Sequence, residues 1–328
     1  MKKKISAGKI FIFFMITILL VVGTAVFYLF NINNKFYFEK KQYNITIDIN
    51  KNTTISSILK QLDSNNVKVM RYLIKYKKID NKIKAGVYYI NGNYTLNEIF
   101  LKFVKGDYEK IKVLIPEGFT LKQIKERLVA LGLINEEKFD EVLAAKKDFY
   151  YLPSSGNYEG FFFPDTYFFT KRDGEEEIIN RILKRFIEKY PVEKYKDKND
   201  FYQKLILASI IEKEGYHQDE KPIIASVFLN RIAKNMRLQS CATVEYLFDY
   251  KKQRLLEKDL WIESPYNTYR NKGLPPAPIS NPGEKSIEAA MYPAKTNYLY
   301  FVAGDNHRHT FSEEYKDHLK AKADLYSE

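Results

Sequence analysis

Residues 205–215 read Leu-Ile-Leu-Ala-Ser-Ile-Ile-Glu-Lys-Glu-Gly, an almost wholly apolar stretch with an acidic end. A helix that is apolar all round is buried on most sides in a soluble domain, so this stretch predicts the centre of a core. Gly215 is the expected residue just past the helix end. Glu212 and Glu214 fall in the last turn, where the helix dipole and the apolar neighbours both disfavour an anion. The pattern therefore predicts a carboxyl group with a raised pKa, as a general acid requires.

The two carboxylates of this helix end are expected to have different surroundings. Two residues apart on a helix, the side chains of Glu212 and Glu214 diverge by about 200°. One can face a cleft while the other supports a neighbouring element. The alternative is that both are solvated surface carboxylates paired with Lys204 or Lys213, since charged helix ends are usually exposed.

The surrounding sequence alternates short β-like runs with amphipathic helices, which predicts an α+β fold. An extended stretch, a turn and a threonine before an apolar helix start recur at Thr54, Thr95 and Thr120. Threonine is a good helix N-cap because its hydroxyl accepts a hydrogen bond from the free amides of the first turn. Three helices are therefore expected to begin just after these threonines.

A domain boundary is predicted near residue 110. Residues 36–110 have the length and alternation of a compact α+β module, similar in pattern to LysM-like domains, which bind glycans. Within it, the Asn-Gly-Asn of residues 91–93 is expected to form a turn closing a strand, and Gly106 to end the following helix. Residues 111–328 then form a larger, mixed α+β domain.

A long proline-rich stretch separates two parts of this larger domain. Residues 264–283 contain five prolines with interspersed tyrosine, asparagine and serine. Proline fixes φ and removes a hydrogen-bond donor, so this segment is expected to be a rigid loop rather than a central strand. Tyrosine and asparagine side chains suit sugar rings and acetamido groups, and long ordered loops tend to be functional. A purely structural loop explains the same composition.

The amino terminus predicts a membrane anchor. An uncharged run covers residues 10–30 and, as a helix, reaches roughly 31 Å, about the thickness of a bilayer's hydrocarbon core. A cleavable signal ending near residues 23–25 and a buried core helix are the alternatives. The lysines of residues 1–9 favour a cytoplasmic amino terminus and an exported body.

Composition excludes several classes of site. The 328-residue chain carries a net charge of +12 and one cysteine, Cys241, so it has no intrachain disulfide framework and no multi-cysteine metal site. The positive charge favours a polyanionic partner such as nucleic acid, anionic lipid or an anionic cell-wall polymer. His307 and His309 alternate like strand residues and are expected to face opposite sides, which disfavours a shared metal. The sequence contains neither a phosphate-binding glycine loop nor a Gly-x-Ser-x-Gly nucleophile elbow.

Several long motifs in fixed order resemble the YceG-like endolytic murein transglycosylases, which are membrane-anchored cell-wall enzymes. The match runs over most of the chain after the anchor and is densest over residues 208–311. The motifs are Glu159-Gly-Phe-Phe-Phe-Pro-Asp165-Thr-Tyr167, Ala208-Ser-Ile-Ile-Glu-Lys-Glu214, Ala225-Ser-Val-Phe-Leu-Asn-Arg231, Met236-Arg-Leu-Gln239, Tyr266-Asn-Thr-Tyr269, Gly273-Leu-Pro-Pro276, Asn281-Pro-Gly283, Tyr298-Leu-Tyr-Phe-Val302 and His309-Thr-Phe311.

The resemblance implies a lytic transglycosylase with Glu214 as the catalytic acid, working without metal or cofactor. The family pattern also implies a LysM-like domain between the anchor and a catalytic domain, here residues 111–328. Substrate-binding roles are then expected for Gln239, Thr243, Tyr266, Asn267, Thr268 and Asn281. Supporting roles are expected for Glu212, Glu159 and Asp165. The sequence departs from the family at Ser240-Cys241-Ala242, where an Asp-Pro pair usually precedes Thr243.

The implied partners are peptidoglycan glycan strands and the cytoplasmic membrane, with peptidoglycan synthases as candidate protein partners. In this interpretation the chain is a single-pass protein of the cytoplasmic membrane with its body on the outer side. The main alternative is a membrane-anchored protein that binds glycan without cleaving it. A basic nucleic-acid-binding protein is the other, and an exported body disfavours it.

Overall fold

A computed structural model of the chain describes residues 7–50, 52–62 and 67–326. Its contacts divide the chain into two compact units, Met1–Lys110 and Ile111–Glu328. Both units combine helices with antiparallel strand pairs. The mixed content confirms the predicted α+β class.

The amino-terminal unit begins with a single long helix, α1, which spans Ala7–Tyr37. Its stretch Phe11–Tyr37 is long and apolar enough to cross a membrane. The helix continues beyond the apolar run of residues 10–30, and its last turns contribute Ile32 and Phe36 to the core of the small unit. The anchor candidate therefore continues as one helix into the folded part. Lys2, Lys3 and Lys4 lie outside the described residues.

The rest of the small unit is an antiparallel strand pair covered by helices. The elements are β1 (Lys41–Ile49), α2 (Ile55–Leu62), α3 (Val67–Tyr76), β2 (Gly86–Tyr94) and α4 (Leu96–Lys105). Strands β1 and β2 pair antiparallel along their full length. The predicted turn at residues 91–93 is wrong: these residues continue β2, because the strand opposite supplies hydrogen-bonding partners for them.

Threonine caps begin the helices where the sequence predicted them. Thr95 and Thr120 each form a reciprocal capping box with the residue three positions later. The Thr54 hydroxyl accepts from the amide of Ser57 in the first turn of α2. Gly106 ends α4 in the left-handed conformation, with φ of 75°, as predicted. The LysM-like character of this unit stays a prediction.

The carboxy-terminal unit is mainly helical. Its helices are α5 (Leu121–Ala130), α6 (Glu136–Ala145), α7 (Glu175–Lys189), α8 (Lys198–Glu214), α9 (Lys221–Ala233), α10 (Cys241–Glu245), α11 (Glu284–Met291) and α12 (Tyr315–Tyr326). Its strands are β3 (Ile111–Ile115), β4 (Asp165–Phe169), β5 (Tyr300–Ala303) and β6 (His309–Ser312). Strands β3 and β4 pair antiparallel, as do β5 and β6.

Helix α8 lies at the centre of this unit, as its apolar sequence predicted. Its residues 205–211 are all buried. The proline-rich loop packs directly on it: the Ile279 amide donates to Ser209 Oγ, and Ser280 Oγ donates to the Ser209 carbonyl. Gly160, with φ of 94°, lies so close to Pro278 that a side chain there would collide with the proline ring. The loop is thus held on the same helix that ends in Glu214.

Candidate active site

Glu214 is the last residue of α8, and its carboxyl group is held by two hydrogen-bond donors. Ser240 Oγ donates to Glu214 Oε1 at 2.5 Å, and the Ala242 amide donates to the same carboxyl group. Burial raises the pKa of Glu214, and these two donors offset the rise only in part. The nearby carboxylate of Glu245 also disfavours the anion. The result is a carboxyl group that holds its proton more tightly than a solvated glutamate.

Two buried threonines fix the position of Ser240. The Ser240 amide donates to Thr268 Oγ1 at 3.1 Å, and Thr243 Oγ1 donates to the Ser240 carbonyl at 2.8 Å. The two threonine hydroxyls are 2.9 Å apart, and both side chains are buried. Hydrogen bonds among Thr268 of the proline-rich loop, Thr243 of α10 and Ser240 therefore join the loop to the start of α10. In this structure Thr243 and Thr268 contact the protein rather than solvent.

Glu212 has a different environment, as the helical geometry predicted. Its carboxylate lies 3.2 Å from Lys221 Nζ, and both side chains are more than nine-tenths buried. It also accepts hydrogen bonds from the Gly283 amide and from Ser286 Oγ, at the start of α11. Glu212 therefore joins three helices, α8, α9 and α11. The alternative of two solvated surface carboxylates does not describe this helix end.

Asn267 and Asn281 are buried, and both side chains are bonded to main-chain groups. Asn267 Nδ2 donates to the carbonyls of Leu260 and Ile262, and its Oδ1 accepts from the Tyr269 amide. These contacts hold the loop around residues 260–269 in one conformation.

Asn281 makes the equivalent contacts at the other end of the loop. Its Oδ1 accepts from the Phe162 amide, and its Nδ2 donates to the Phe119 carbonyl and to Glu159 Oε1. In this structure both asparagines position loops.

Glu159 is a second buried carboxyl group with an unusual pKa. Besides Asn281, it accepts hydrogen bonds from the amides of Leu121 and Gly160 and from the Tyr246 hydroxyl. Burial nevertheless raises its pKa to about 8. Since the carboxyl is enclosed by protein, it acts on the core and not on a ligand.

The remaining predicted site residues lie nearer the surface. Asp165 accepts from Arg185 Nε at 2.7 Å and so joins β4 to α7. Gln239 is exposed, and its backbone is in the left-handed region with φ of 53°. Tyr266 is half-buried and packs on Tyr246, with ring centroids 5.2 Å apart. Of these three, Gln239 and Tyr266 keep side-chain surface available to a ligand.

Sequence reasoning missed three features around Glu214. Ser240 was recognised only as a departure from the family pattern, although it makes the shortest contact to the acid. Tyr216, two residues past Glu214, is 72% exposed, with its ring 5.0 Å from that of His307. A large exposed aromatic ring next to an acidic group is a local signal that could have been recognised.

The third missed feature is a buried pair between His309 and Glu220. His309 Nδ1 lies 2.8 Å from Glu220 Oε2, and Arg308 also donates to this carboxylate. Burial disfavours the Glu220 anion, but these donors outweigh it and lower the pKa of Glu220. Because the partners are 89 residues apart, no local pattern predicted the pair.

Two clefts lie along α9, and Glu214 lines neither of them. One is lined by Asn230 and Lys234 and another by Ser226 and Lys295. The chemistry available at Glu214 is therefore that of a single, protonatable carboxyl group. The Ser240 hydroxyl and the Ala242 amide donate to it. In the sequence, Gln239 directly precedes Ser240, and Tyr216 follows Glu214 by two residues.

Comparison with known proteins assigns the chain to a family. The model of the YceG-like family matches residues 47–324. The chain belongs to the YceG-like family. Its relatives include the endolytic murein transglycosylase of Bacillus subtilis, 36% identical over 302 residues that cover 85% of this chain and 84% of that protein.

Two further relatives support the same family. The endolytic murein transglycosylase of Streptococcus pneumoniae strain R6 is 30% identical over 72% of this chain, and the matched part spans 49% of that longer protein. A crystal structure of a YceG-like protein from Listeria monocytogenes matches with a TM-score of 0.57 and 35% identity. That match covers 86% of this chain and 98% of the Listeria chain. The YceG-like assignment thus covers both units of the chain.

Proposed function

We propose that this YceG-like protein is an endolytic murein transglycosylase. It cleaves the bond between N-acetylmuramic acid and N-acetylglucosamine inside a glycan strand and leaves a 1,6-anhydro end. The observation that carries the proposal is the carboxyl group of Glu214, whose pKa is raised by burial and which is held by Ser240 and the Ala242 amide. The names of the Bacillus and Streptococcus relatives support the reaction class.

Glu214 acts first as an acid and then as a base. Protonated Glu214 donates its proton to the glycosidic oxygen, the bond from that oxygen to C1 of the muramic acid breaks, and an oxocarbenium-like centre forms. The Glu214 carboxylate then takes the proton of the muramyl 6-hydroxyl while O6 forms a bond to C1. The carboxyl group ends protonated, as it began. Because the nucleophile belongs to the substrate, one carboxyl group suffices where ordinary glycosidases need two.

Ser240 and Ala242 support the intermediate stage of this cycle. Between the two proton transfers Glu214 is an anion in a poorly hydrated place, which is costly without donors. The Ser240 hydroxyl and the Ala242 amide supply those donors. They are positioning residues in this mechanism, and Thr243 and Thr268 hold Ser240 in place.

The glycan contacts are assigned to exposed side chains. Gln239, Tyr266 and Tyr216 keep accessible polar or aromatic surface, and a flat tyrosine ring suits the face of a sugar. Asn267 and Asn281 have their polar groups bonded to the main chain, so their proposed role is to shape the loop that the glycan meets.

The proposed location is the outer side of the cytoplasmic membrane, with α1 as a single-pass anchor. The lack of charged residues over residues 10–30 and the exposure of the large apolar side chains from Phe11 to Phe30 support this arrangement. A membrane-held enzyme meets glycan strands as they are made, so the proposed outcome of cleavage is the end of strand elongation. Peptidoglycan synthases are the proposed protein partners, and the small unit is proposed as a LysM-like glycan-binding domain.

The deciding experiment is the analysis of muropeptides after incubation of the full-length protein with purified, uncrosslinked glycan strands. New 1,6-anhydro ends with the wild type and none with Glu214→Gln support the enzyme. Glycan that binds but stays uncut with the wild type indicates the non-catalytic, glycan-binding alternative. A protease-protection assay that places the body in the cytoplasm would favour the nucleic-acid-binding alternative.

A further inference from the structure

Helix α3 packs against α1 where the apolar run of the anchor ends. Leu29 and Ile32 of α1 form one side of a cleft, and Val69, Leu73 and Tyr76 of α3 form the other. Leu29 is within the uncharged run, which stops at Phe30. At a rise of 1.5 Å per residue, the contact with α3 lies within about one helical turn of the end of the apolar run. If α1 crosses a bilayer, α3 lies at the level of the headgroups.

The side of α3 that faces away from the core is aromatic. Met70 and Ile74 are buried in the small unit, whereas Tyr72 is 64% exposed and Tyr76 is 85% exposed. Tyr72 and Tyr76 are four residues apart, so they share a face of the helix, and Lys68 precedes them on it. Exposed tyrosines contribute nothing to the core, but they are typical of the boundary between membrane and water.

The segment that begins with α3 is also strongly basic. Between residues 67 and 84 the chain has seven lysines or arginines and a single acid, Asp80. The basic residues are Lys68, Arg71, Lys75, Lys77, Lys78, Lys82 and Lys84. The Arg71 guanidinium lies 5.4 Å from the centre of the Tyr72 ring, and its buried Nε has no hydrogen-bond partner among the described residues. This concentration of positive charge favours an anionic partner at this place.

We propose that α3 and the basic segment up to Lys84 form a membrane-interface element that binds anionic lipid headgroups of the leaflet that α1 enters. This inference rests on the anchoring role given to α1 under the proposed function. Each lysine or arginine near an anionic surface adds attraction, and the tyrosine rings partition into the headgroup region. Together with the continuous α1, this contact fixes the tilt and height of the small unit on the bilayer.

The observations favour lipid over a soluble polyanion as the occupant. An anionic cell-wall polymer would be attracted by the same lysines and could stack on tyrosine rings, but it would not account for the position of Tyr72 and Tyr76 at the end of the apolar run of α1. The position of α3 along α1 supports lipid independently of charge.

The test uses the full-length protein in nanodiscs of either neutral or partly anionic phospholipid. A spin label is placed at position 76 by Tyr76→Cys in a Cys241→Ser background. The matched control is Tyr89→Cys, since Tyr89 is an exposed tyrosine of β2 in the same unit. In anionic nanodiscs we expect a several-fold lower collision rate with a water-soluble nickel complex at position 76 than at position 89. Equal collision rates at the two positions would overturn the proposal.

A second set of variants tests the role of charge. Lys68→Gln/Lys75→Gln/Lys78→Gln should raise the collision rate at position 76 to the value seen in neutral nanodiscs. A matched triple substitution in the other unit, Lys234→Gln/Lys316→Gln/Lys320→Gln, should leave it unchanged. A low collision rate at position 76 that is equal in neutral and anionic nanodiscs contradicts the assignment to anionic lipid. So does a low collision rate that appears only when a soluble polyphosphate is added.

A failure of the inference about α3 can be told apart from a failure of the proposed function. Loss of the anchor would appear as failure of the protein to co-purify with nanodiscs, and loss of the transglycosylase assignment as absence of anhydro ends. A protein that is anchored and active but has a water-exposed position 76 overturns only the inference about α3.

Discussion

Ser240 Oγ donates a 2.5 Å hydrogen bond to Glu214 Oε1 across 26 residues of chain, and this contact joins the end of α8 to the start of α10. The serine favours the ionised carboxyl group, whereas burial favours the protonated one. A group that must give up a proton and then take one back needs both influences. The pKa of Glu214 stays raised because burial is the stronger of the two.

Replacing Glu214 by Gln should abolish formation of 1,6-anhydro ends. Gln keeps the shape and can still accept the Ser240 hydrogen bond, but it carries no transferable proton. General acid–base catalysis contributes typically about 10²–10⁴-fold, so at least this loss is expected for one group acting in both steps. The measurement is product formation from purified glycan strands, together with a melting curve that should match the wild type. Wild-type turnover by Glu214→Gln would move the catalytic role to another residue.

Glu212→Gln, two residues away, should lower the stability of the fold and leave the catalytic rate nearly unchanged. It removes one charge from a buried pair and leaves the Lys221 ammonium without its partner. Breaking such a pair typically costs about 3–5 kcal/mol of folding stability. We expect a clear drop in the free energy of unfolding, measured with urea, and a rate per folded molecule close to the wild type. A stable Glu212→Gln protein without activity would contradict the purely structural role.

Substitutions at Ser240 and Ala242 should move the pH profile of the reaction. Ser240→Ala removes one donor to the Glu214 carboxylate, and Ala242→Pro removes the other because proline has no amide hydrogen. Each change disfavours the anion and so raises the pKa of Glu214 further. Because the first step needs protonated Glu214, the alkaline limb of kcat/KM against pH should shift to higher pH in both variants.

The control for this shift is Cys241→Ser. Residue 241 lies between the two donors, and its Sγ contacts the Tyr269 hydroxyl at 3.0 Å rather than Glu214. The alkaline limb of kcat/KM against pH for Cys241→Ser should coincide with that of the wild type. A shift to lower pH in Ser240→Ala or Ala242→Pro would mean that these groups do not stabilise the carboxylate.

Tyr216→Ala should weaken glycan binding more than it slows the chemical step. Tyr216 is largely exposed and makes ring contacts with His217 and His307. The substitution removes a flat surface without opening a core cavity, so the melting temperature should stay the same. We expect a raised KM and a smaller effect on kcat, measured with glycan strands of defined length. Tyr292→Ala, at another exposed tyrosine, is the matched control, and equal effects of both changes would refute a specific glycan contact.

The sequence predicted local features of the fold well because their causes are local. Threonine caps, the left-handed Gly106 and the apolar burial of α8 depend on neighbours within a few residues. The turn predicted at residues 91–93 failed because β1, more than 40 positions away, supplies its hydrogen bonds.

Long-range contacts also limited the prediction of the site. The apolar helix and its acidic end placed Glu214 in the last turn, and helical geometry separated it from Glu212. The roles of Ser240, Thr268 and the His309–Glu220 pair depend on contacts between distant segments, which no local spacing encodes. Asparagine is typical of both glycan sites and rigid loops, so composition alone could not show that Asn267 is fully bonded to the main chain.

Glu159→Gln should change how the stability of the protein depends on pH. Glu159 has a pKa of about 8 in the folded protein because of burial, against a usual value of 4.5. Between these two pH values the folded state holds one more proton than the unfolded state, so stability falls as pH rises. The loss approaches about 1.4 kcal/mol for each pH unit in this window.

Gln resembles the protonated carboxyl group at all pH values, so the variant lacks this loss. Urea unfolding of both proteins at pH 5 and pH 9 should therefore show similar stabilities at the lower pH. At the higher pH, the wild type should be less stable than Glu159→Gln by a few kcal/mol. Asp165→Asn serves as the control, since Asp165 is only partly buried and is paired with Arg185. If the stability difference between the wild type and Glu159→Gln were the same at both pH values, the pKa of Glu159 would not be raised in the folded protein, and the four donors around it would fully offset its burial.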